Sequence, residues 1–335
     1  MSSSKSESAS IGASAALSPD NTNMKLGIIG LGKMGANLAL QAVGKNIKVV
    51  GKARSKKPEL EEKGIKVVNE YKDFVSSLEH PRIIYLSLPA GSTVDSVLNE
   101  LVPHLEEGDV VMDGGNSFYL DSMRREKELS KKGIHFLDCG TSGGLDGARY
   151  GACFMVGGKK EGVRIAEPTL RTLAINSDGY VHTGQPGTGH FVKLVHNGIE
   201  FGMLQAIGEG VGLLRQNEFG LDIAEIFKNW SNGSVIRSWL VELMEKGLRE
   251  QQDIDKIDSY VEDTGEVDWL IQDAINKEIP IPVICQSIME LFKSRTKDSD
   301  TYRAIALMRH GFGGHPFGRD EYIAKERKTS RIQKL

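Results

Sequence analysis

The sequence predicts an α/β protein with a Rossmann-like, doubly wound sheet, followed by an all-α C-terminal domain. Two observations carry this prediction. In the first half, short apolar runs alternate with helical patterns at the spacing of βα units, and the first run enters a glycine-rich turn. After about residue 183 the strand signals fade and helical patterns dominate. A length of 335 residues with 39% hydrophobic content is enough for two such domains.

The composition excludes several function classes. Lys and Arg number 42 and Asp and Glu 45, a formal net charge of −3, so no excess of either sign favours nucleic acid or a membrane surface. No apolar run reaches membrane-spanning length. The three cysteines lack metal-ligand spacing and suggest free thiols in a reducing compartment. We therefore expect a soluble cytoplasmic protein without a metal. Organelle targeting by the serine-rich N-terminus stays open, although that segment lacks arginine.

The first glycine turn is typical of a dinucleotide site. An apolar strand over 25–29 leads into G-L-G-K-M-G, and a helical pattern follows, which is the order such a site requires. The glycines allow a tight turn, approach of the pyrophosphate and close helix packing, and the phosphates would lie at the helix N-terminus. The expected contacts are Gly30, Leu31, Gly32, Lys33, Met34 and Gly35.

The end of the second strand favours NADP over NAD. An NAD site usually has an acidic residue there, but residues 52–57 read K-A-R-S-K-K. Arg54 and Ser55 would suit a 2′-phosphate. The alternative is a solvated loop with incidental charge.

Three later strand ends should line the cleft, because ligands bind at the carboxyl ends of parallel strands. We expect cofactor contacts from Leu88, Pro89 and Ala90 and from Asn116. The strand over 134–138 is followed by a predicted loop carrying Ser142, Gly143 and Gly144, where substrate hydroxyls could bind. Each polar residue alone is more often a turn residue than a ligand contact.

The run from His190 to Glu200 predicts a helix with a reactive stripe. Lys193, Asn197 and Glu200 stand at i, i+4 and i+7, with His196 beside them. A lysine and a carboxylate on one face suit a reaction that removes one proton and supplies another. The alternative is a partly buried helix whose polar side chains have structural hydrogen-bond partners and no catalytic role.

The segment from Arg309 to His315 allows two interpretations. Without further context it is a turn that follows a helix whose last residues favour cations. With a phosphorylated or acidic substrate it would be an anion clamp. No zinc spacing accompanies its histidines.

Together these motifs resemble the 6-phosphogluconate dehydrogenase family, in its short form with one helical domain, within the β-hydroxyacid dehydrogenase superfamily. The resemblance covers roughly residues 24–318. It rests on G-G-N-S at 114–117, S-G-G-x-x-G-A at 142–148, the helix at 189–200, D-T-G at 263–265 and the segment 309–315. The predicted division is a disordered tail at 1–23, an NADP-binding Rossmann domain at 24–183, a helical substrate and dimerisation domain at 184–318 and a basic tail at 319–335.

The resemblance implies a reaction and roles. The reaction is the oxidative decarboxylation of 6-phospho-D-gluconate to D-ribulose 5-phosphate and CO2, with reduction of NADP and no metal, as in the pentose phosphate pathway. Lys193 would be the general base and Glu200 the general acid. The implied substrate contacts are Asn116, Ser142, Gly143, Gly144, His196, Asn197, Arg309 and His315. In the family the last two come from a neighbouring subunit, which implies a homodimer or higher homo-oligomer.

Two departures concern the phosphate end of the substrate. Phe201 replaces a tyrosine that often follows the acid, and the lysine expected after D-T-G has no clear counterpart. One rival is therefore a dehydrogenase or reductase acting on a small, non-phosphorylated β-hydroxyacid. A second is a non-catalytic protein that binds NADP, although both Lys193 and Glu200 are present.

Overall fold

The computed structural model describes residues 24–251 and 253–324. The predicted tail at 1–23 and residues 325–335 of the predicted basic tail lie outside the described residues.

The first half of the chain forms the predicted Rossmann-like sheet, which has eight strands. Its strands are β1 (Lys25–Ile29), β2 (Lys48–Lys52), β3 (Lys66–Val68), β4 (Ile83–Leu86), β5 (Val110–Asp113), β6 (His135–Ser142), β7 (Cys153–Gly157) and β8 (Tyr180–Gly184). The spatial order is β3-β2-β1-β4-β5-β6-β7-β8. The first six strands in this order are parallel, β7 runs antiparallel to β6, and β8 pairs parallel to β7.

Helices cover both faces of this sheet. They are α1 (Lys33–Gly44), α2 (Pro58–Glu61), α3 (Tyr71–Ser76), α4 (Ser92–Leu101), α5 (Tyr119–Leu129), α6 (Gly144–Tyr150) and α7 (Lys160–Leu173). Alternate residues of β1 enter different cores: Ile28 packs with Leu38 of α1, whereas Ile29 packs with Phe74 of α3. Burial on both faces explains why the strands read as continuous apolar runs.

The second half is helical, as predicted. Its helices are α8 (Thr188–Arg215), α9 (Ile223–Ser231), α10 (Trp239–Glu250), α11 (Glu266–Asn276), α12 (Pro282–Lys293) and α13 (Asp300–Gly313). Helix α8 is 28 residues long and packs against α11, α12 and α13. A Cβ on Gly208 would lie 2.7 Å from the Thr301 carbonyl oxygen, so a glycine there lets α13 approach α8 closely.

One predicted loop is in fact strand. The sequence places a strand end at Asp138, whereas β6 continues to Ser142. The reason is the antiparallel partner β7, since residues 138–142 pair with residues 157–153. Pairing between distant segments is not visible in a local pattern.

The predicted boundary between residues 183 and 184 falls one residue before the end of β8, and we keep this division as a proposal. Among the described residues, no helix is long and apolar enough to span a membrane.

Candidate active site

A buried carboxylate positions the N-terminus of α8. The side chain of Asp138, 1% exposed, accepts hydrogen bonds from the backbone N–H groups of Gly187 at 2.7 Å and His190 at 2.8 Å. A carboxylate is stabilised at a helix N-terminus by free N–H groups and the helix dipole. A Cβ on Gly189 would lie 2.4 Å from the Asp138 carbonyl oxygen, so only glycine fits there. These contacts fix α8 against β6.

His190 ties the same helix to β5. Its Nε2 lies 3.0 Å from the Asp113 carbonyl oxygen and its Nδ1 lies 2.7 Å from Ser122 Oγ. The Asp113 carboxylate accepts the Ser117 hydroxyl at 2.7 Å and the Gly115 N–H at 3.1 Å. The G-G-N-S turn is therefore held beside α8, with Asn116 exposed between these anchors.

The predicted stripe of α8 forms a contiguous polar cluster. Lys193 Nζ lies 3.4 Å from His196 Nδ1. His196 Nδ1 also lies 3.1 Å from Asn197 Oδ1 and 3.8 Å from Glu200 Oε2. Lys193 is 8% exposed and Asn197 4%. The four residues meet as the helical spacing predicts, and Glu266 of α11 joins them by accepting a hydrogen bond from Asn197 Nδ2 at 2.9 Å.

Burial shifts the titration of this cluster in the direction that proton transfer requires. Desolvation lowers the pKa of Lys193, against the opposing charges of Glu200 and Glu266. Desolvation raises the pKa of Glu200, against the opposing charge of Lys193. Desolvation and the nearby Lys193 charge lower the pKa of His196. A lysine that can be neutral and a glutamate that can be protonated are a matched base and acid.

The Ser142–Gly144 segment faces this cluster. Ser142 Oγ lies 3.0 Å from His196 Nε2. Gly143 and Gly144 have φ angles of +115° and +59°, which favour glycine. A Cβ on Gly144 would lie 2.0 Å from the Phe312 carbonyl oxygen, so the end of α13 lies directly on this segment.

Arg309 lies at the same site and in the same chain. It is 4% exposed, donates to the Glu262 carbonyl oxygen at 2.5 Å and lies 5.6 Å from the centre of the Phe201 ring. Its charge partly opposes the effect of burial, which raises the pKa of Glu200. The resemblance implies that this segment comes from a neighbouring subunit. In the structure α13 packs along α8, and Arg309 lies close enough to Glu200 and Phe201 of its own chain to act on them.

His315 follows Arg309 into this region as an uncharged group. Burial and the charges of Arg309 and Lys33 lower the pKa of His315 to about 3, so its imidazole is neutral at neutral pH. Lys33 Nζ donates to the Gly314 carbonyl oxygen at 3.1 Å, which joins the cofactor turn to the end of α13. Arg309 therefore contributes a positive charge to the expected clamp that His315 does not.

The glycine turn fits a dinucleotide. Gly30 has a φ angle of +97°, and a Cβ on Gly35 would lie 2.0 Å from the Gly30 carbonyl oxygen, so strand and helix touch there. A Cβ on Gly32 would meet no atom within 4 Å, which leaves open space in front of the helix. No side chain caps the N-terminus of α1 and no acidic residue lies in its first turn. Leu31, Lys33 and Met34 accompany these glycines, and the free N–H groups suit a pyrophosphate.

Further cofactor contacts were predicted from two other strand ends, and a Cβ on Gly30 would lie 3.1 Å from Leu88 Cδ2, which puts the first of them beside the glycine turn. A Cβ on Gly115 would lie 2.5 Å from the Leu88 carbonyl oxygen, which puts the segment with Pro89 and Ala90 next to Asn116. Arg54 and Ser55 are exposed at the end of β2.

Sequence reasoning missed Asp138, His190 and Glu266 as parts of this site. Glu266 directly follows the D-T-G segment, where Gly265 has a φ angle of +92° and precedes α11. A carboxylate at the start of a helix is common, so no local signal marked it. Within the described ranges, no group of three or more His, Cys, Asp or Glu side chains is arranged to hold a metal ion.

A dinucleotide-type sheet joined to a helix with a buried lysine and a carboxyl group defines a nicotinamide-dependent oxidoreductase. Residues 25–183 match the NAD binding domain of 6-phosphogluconate dehydrogenase, and residues 189–329 match the 6-phosphogluconate dehydrogenase C-terminal domain. The chain belongs to the 6-phosphogluconate dehydrogenase family, as the motifs predicted.

Individual relatives agree on the family and differ in the nucleotide. The Bacillus subtilis protein YqeC is 42% identical over 87% of this chain and 98% of its own length. A Haloferax volcanii enzyme, named NAD(+)-dependent, is 40% identical over 89% of this chain and 100% of its own. A longer Bacillus subtilis enzyme, named NADP(+)-dependent, is 37% identical over 83% of this chain and 62% of its own.

Solved structures show the same fold. Plasmodium falciparum 6-phosphogluconate dehydrogenase is 29% identical, with a TM-score of 0.74 over 81% of this chain and 62% of that one. Salmonella typhimurium 3-hydroxyisobutyrate dehydrogenase is 18% identical, with a TM-score of 0.68 over 84% of this chain and 99% of that one. The second likeness concerns the fold alone.

Proposed function

We propose that this protein catalyses the oxidative decarboxylation of 6-phospho-D-gluconate to D-ribulose 5-phosphate and CO2, with NADP as the oxidant, as a step of the pentose phosphate pathway. The observation that supports this most is the buried cluster on α8, where Lys193 and Glu200 have pKa shifts suited to a base and an acid. Family membership supports the same substrate.

Lys193 performs the first proton transfer. As the neutral amine it accepts the proton of the substrate 3-hydroxyl while the C3–H bond breaks, and the bound nicotinamide supplies the hydride acceptor. Burial favours the amine because it disfavours the ammonium. Ser142, His196 and Asn197, which border the lysine, would bind substrate hydroxyl and carboxylate groups.

Lys193 and Glu200 then share the second half of the reaction. The 3-keto acid loses C1 as CO2, and the electrons of the broken C1–C2 bond form an enediol. The Lys193 ammonium donates to the keto oxygen and stabilises the negative charge that develops there. Glu200 gives its proton to C2, which becomes C1 of the ribulose product. The raised pKa of Glu200 keeps that proton available.

We propose that Arg309 and His315 bind the 6-phosphate. The Arg309 guanidinium is buried and suited to a phosphate, and His315 would supply a neutral N–H donor. A bound phosphate would offset the Arg309 charge that lowers the pKa of His315.

We propose NADP as the preferred cofactor because the end of β2 carries cations and no carboxylate. Arg54→Ala should weaken NADP binding by about 1.5–3 kcal/mol and change NAD binding little, because a charged hydrogen bond to the 2′-phosphate is lost. Lys63→Ala, at an exposed lysine just beyond α2, is the control. Faster wild-type turnover with NAD than with NADP at matched low concentrations would overturn this preference.

A homo-oligomer is proposed from an apolar strip on the helical domain. Ile199 and Met203 of α8 are 54% and 40% exposed, and Val283 of α12 is 70% exposed. A Cβ on Gly202 would lie 3.5 Å from Val283 Cγ1, so the two helices present adjoining apolar surface. Light scattering should give at least a dimer.

We place the enzyme in the cytoplasm, because its three cysteines are free thiols.

A substrate panel tests the activity. Purified enzyme should reduce NADP with 6-phosphogluconate, and not with gluconate or 3-hydroxyisobutyrate at the same concentration. Lys193→Met protein measures the background. Turnover of 3-hydroxyisobutyrate in preference to 6-phosphogluconate would overturn the proposal in favour of a non-phosphorylated substrate.

A further inference from the structure

A chain of hydrogen-bonding groups crosses the site from the sheet to α11. Ser142 Oγ lies 3.0 Å from His196 Nε2, His196 Nδ1 lies 3.1 Å from Asn197 Oδ1, and Asn197 Nδ2 lies 2.9 Å from Glu266 Oε1. Glu266 is the last group in this series of hydrogen bonds and is 7% exposed. Neither the sequence motifs nor the proposed mechanism gives Glu266 a role.

The Glu266 carboxylate determines which group donates and which accepts at each of these hydrogen bonds. A carboxylate oxygen accepts hydrogen bonds, and Asn197 presents its NH2 group to Glu266. The Asn197 oxygen then faces His196, and Nδ1 of that imidazole must carry the proton. His196 Nε2 is left as an acceptor, to which the Ser142 hydroxyl donates.

This direction affects Lys193. The lysine Nζ lies 3.4 Å from the same Nδ1 of His196. An Nδ1 that donates its proton to Asn197 has no lone pair left to accept a hydrogen bond from a Lys193 ammonium, so this tautomer disfavours the ammonium relative to the neutral amine. The opposite tautomer would present a lone pair and favour the ammonium.

We propose that Glu266 is a positioning residue that holds His196 in its Nδ1–H tautomer through Asn197 and thereby favours the neutral amine of Lys193 before hydride transfer. The inference rests on the proposed role of Lys193 as the base. Glu266 acts here through Asn197 and His196 and not on the substrate.

A pH profile alone would not isolate this effect, because the negative charge of Glu266 also raises the pKa of Lys193 directly. The direct charge and the tautomer therefore act on Lys193 in opposite senses. The tautomer of His196 is the quantity to measure, and it requires no substrate.

Long-range ¹⁵N–¹H NMR of the imidazole nitrogens, with His196 assigned through a His196→Gln variant, tests the proposal. Wild type should show the Nδ1–H form. Glu266→Gln is isosteric, but its amide can present either an oxygen or an NH2 group to Asn197, so both tautomers should appear. Single-turnover hydride transfer should then slow by at least about twofold, since only part of the population is competent.

Two further variants complete the test. Glu209→Gln makes the same change at a carboxylate that accepts an amide from Gln205, also on α8, and should leave the His196 signals unchanged. In Glu266→Gln/Asn197→Asp, an acceptor-only side chain at position 197 should restore the Nδ1–H form. An Nε2–H tautomer in wild type, or an unchanged single tautomer in Glu266→Gln, would overturn the proposal. A wild-type enzyme inactive on 6-phosphogluconate would instead overturn the proposed function and leave the NMR result standing.

Discussion

At the scale of single residues, the site depends on a buried lysine and a partly buried glutamate that share one helix face. Desolvation lowers the pKa of Lys193 and raises the pKa of Glu200, so it favours the neutral form of each group. Their mutual attraction opposes both shifts. The neutral forms are the ones that can accept and give a proton. The two residues can therefore divide the proton transfers of one reaction between them.

Substituting each residue should separate these two roles. Lys193→Met should abolish hydride transfer, whereas Glu200→Gln should chiefly slow the late protonation and leave early hydride transfer partly intact. Each role typically contributes about 10²–10⁴-fold. Stopped-flow absorbance of the reduced cofactor, compared with steady-state turnover, distinguishes the two steps. A Lys193→Met enzyme within tenfold of wild type would end this assignment.

The pH dependence follows from the direction of the Lys193 shift. The rate constant kcat/KM should fall on acidification as Lys193 gains a proton, with a midpoint below the usual lysine pKa, because desolvation lowers the pKa of Lys193. Glu200→Gln removes a carboxylate that raises this pKa, so the acidic limb of hydride transfer should move to lower pH. An acidic limb that moves to higher pH in this variant would contradict the electrostatic account.

At the scale of elements, the sequence predicts contacts within α8 better than contacts to it. Lys193, Asn197 and Glu200 meet because the helical period brings i, i+4 and i+7 together. Glu266 could not be predicted, because it comes from another helix and only packing brings it to Asn197. The extension of β6 to Ser142 was missed for a related reason, since it depends on pairing with β7.

The end of α13 should determine affinity for the phosphorylated substrate. Arg309→Ala or His315→Ala should raise KM for 6-phosphogluconate by about an order of magnitude or more, because a charged hydrogen bond is worth about 1.5–3 kcal/mol. KM for NADP should stay unchanged. Arg309 is buried, so thermal melting must accompany the kinetics, and His315→Asn retains a neutral donor as the milder comparison. An unchanged KM in both alanine variants would make the segment structural.

At the scale of the whole molecule, the two halves of the chain build one cleft. Asp138 and His190 fix α8 on the sheet, and Lys33 of the cofactor turn reaches Gly314 at the end of α13. The fold class and the glycine turn could be predicted because each depends on a local sequence pattern. The placement of Arg309 in its own chain could not, because it depends on how α13 packs on α8.

Mixed oligomers test that placement. Co-expressed Arg309→Ala and Lys193→Met chains should regain no activity, because each chain of the structure carries Arg309 at its own site. If the segment came from a partner subunit, a mixed dimer would contain one intact site. Activity near a quarter of wild type in the random mixture would therefore contradict the arrangement within one chain.

We propose that one site both oxidises and decarboxylates 6-phosphogluconate. The most direct measurement uses 6-phosphogluconate labelled with ¹³C at C1 and counts labelled CO2 against reduced cofactor. One labelled CO2 should form for each NADPH, and both products should be lost in Lys193→Met. Reduced cofactor formed without labelled CO2 would identify a simple dehydrogenase and contradict the proposed decarboxylation.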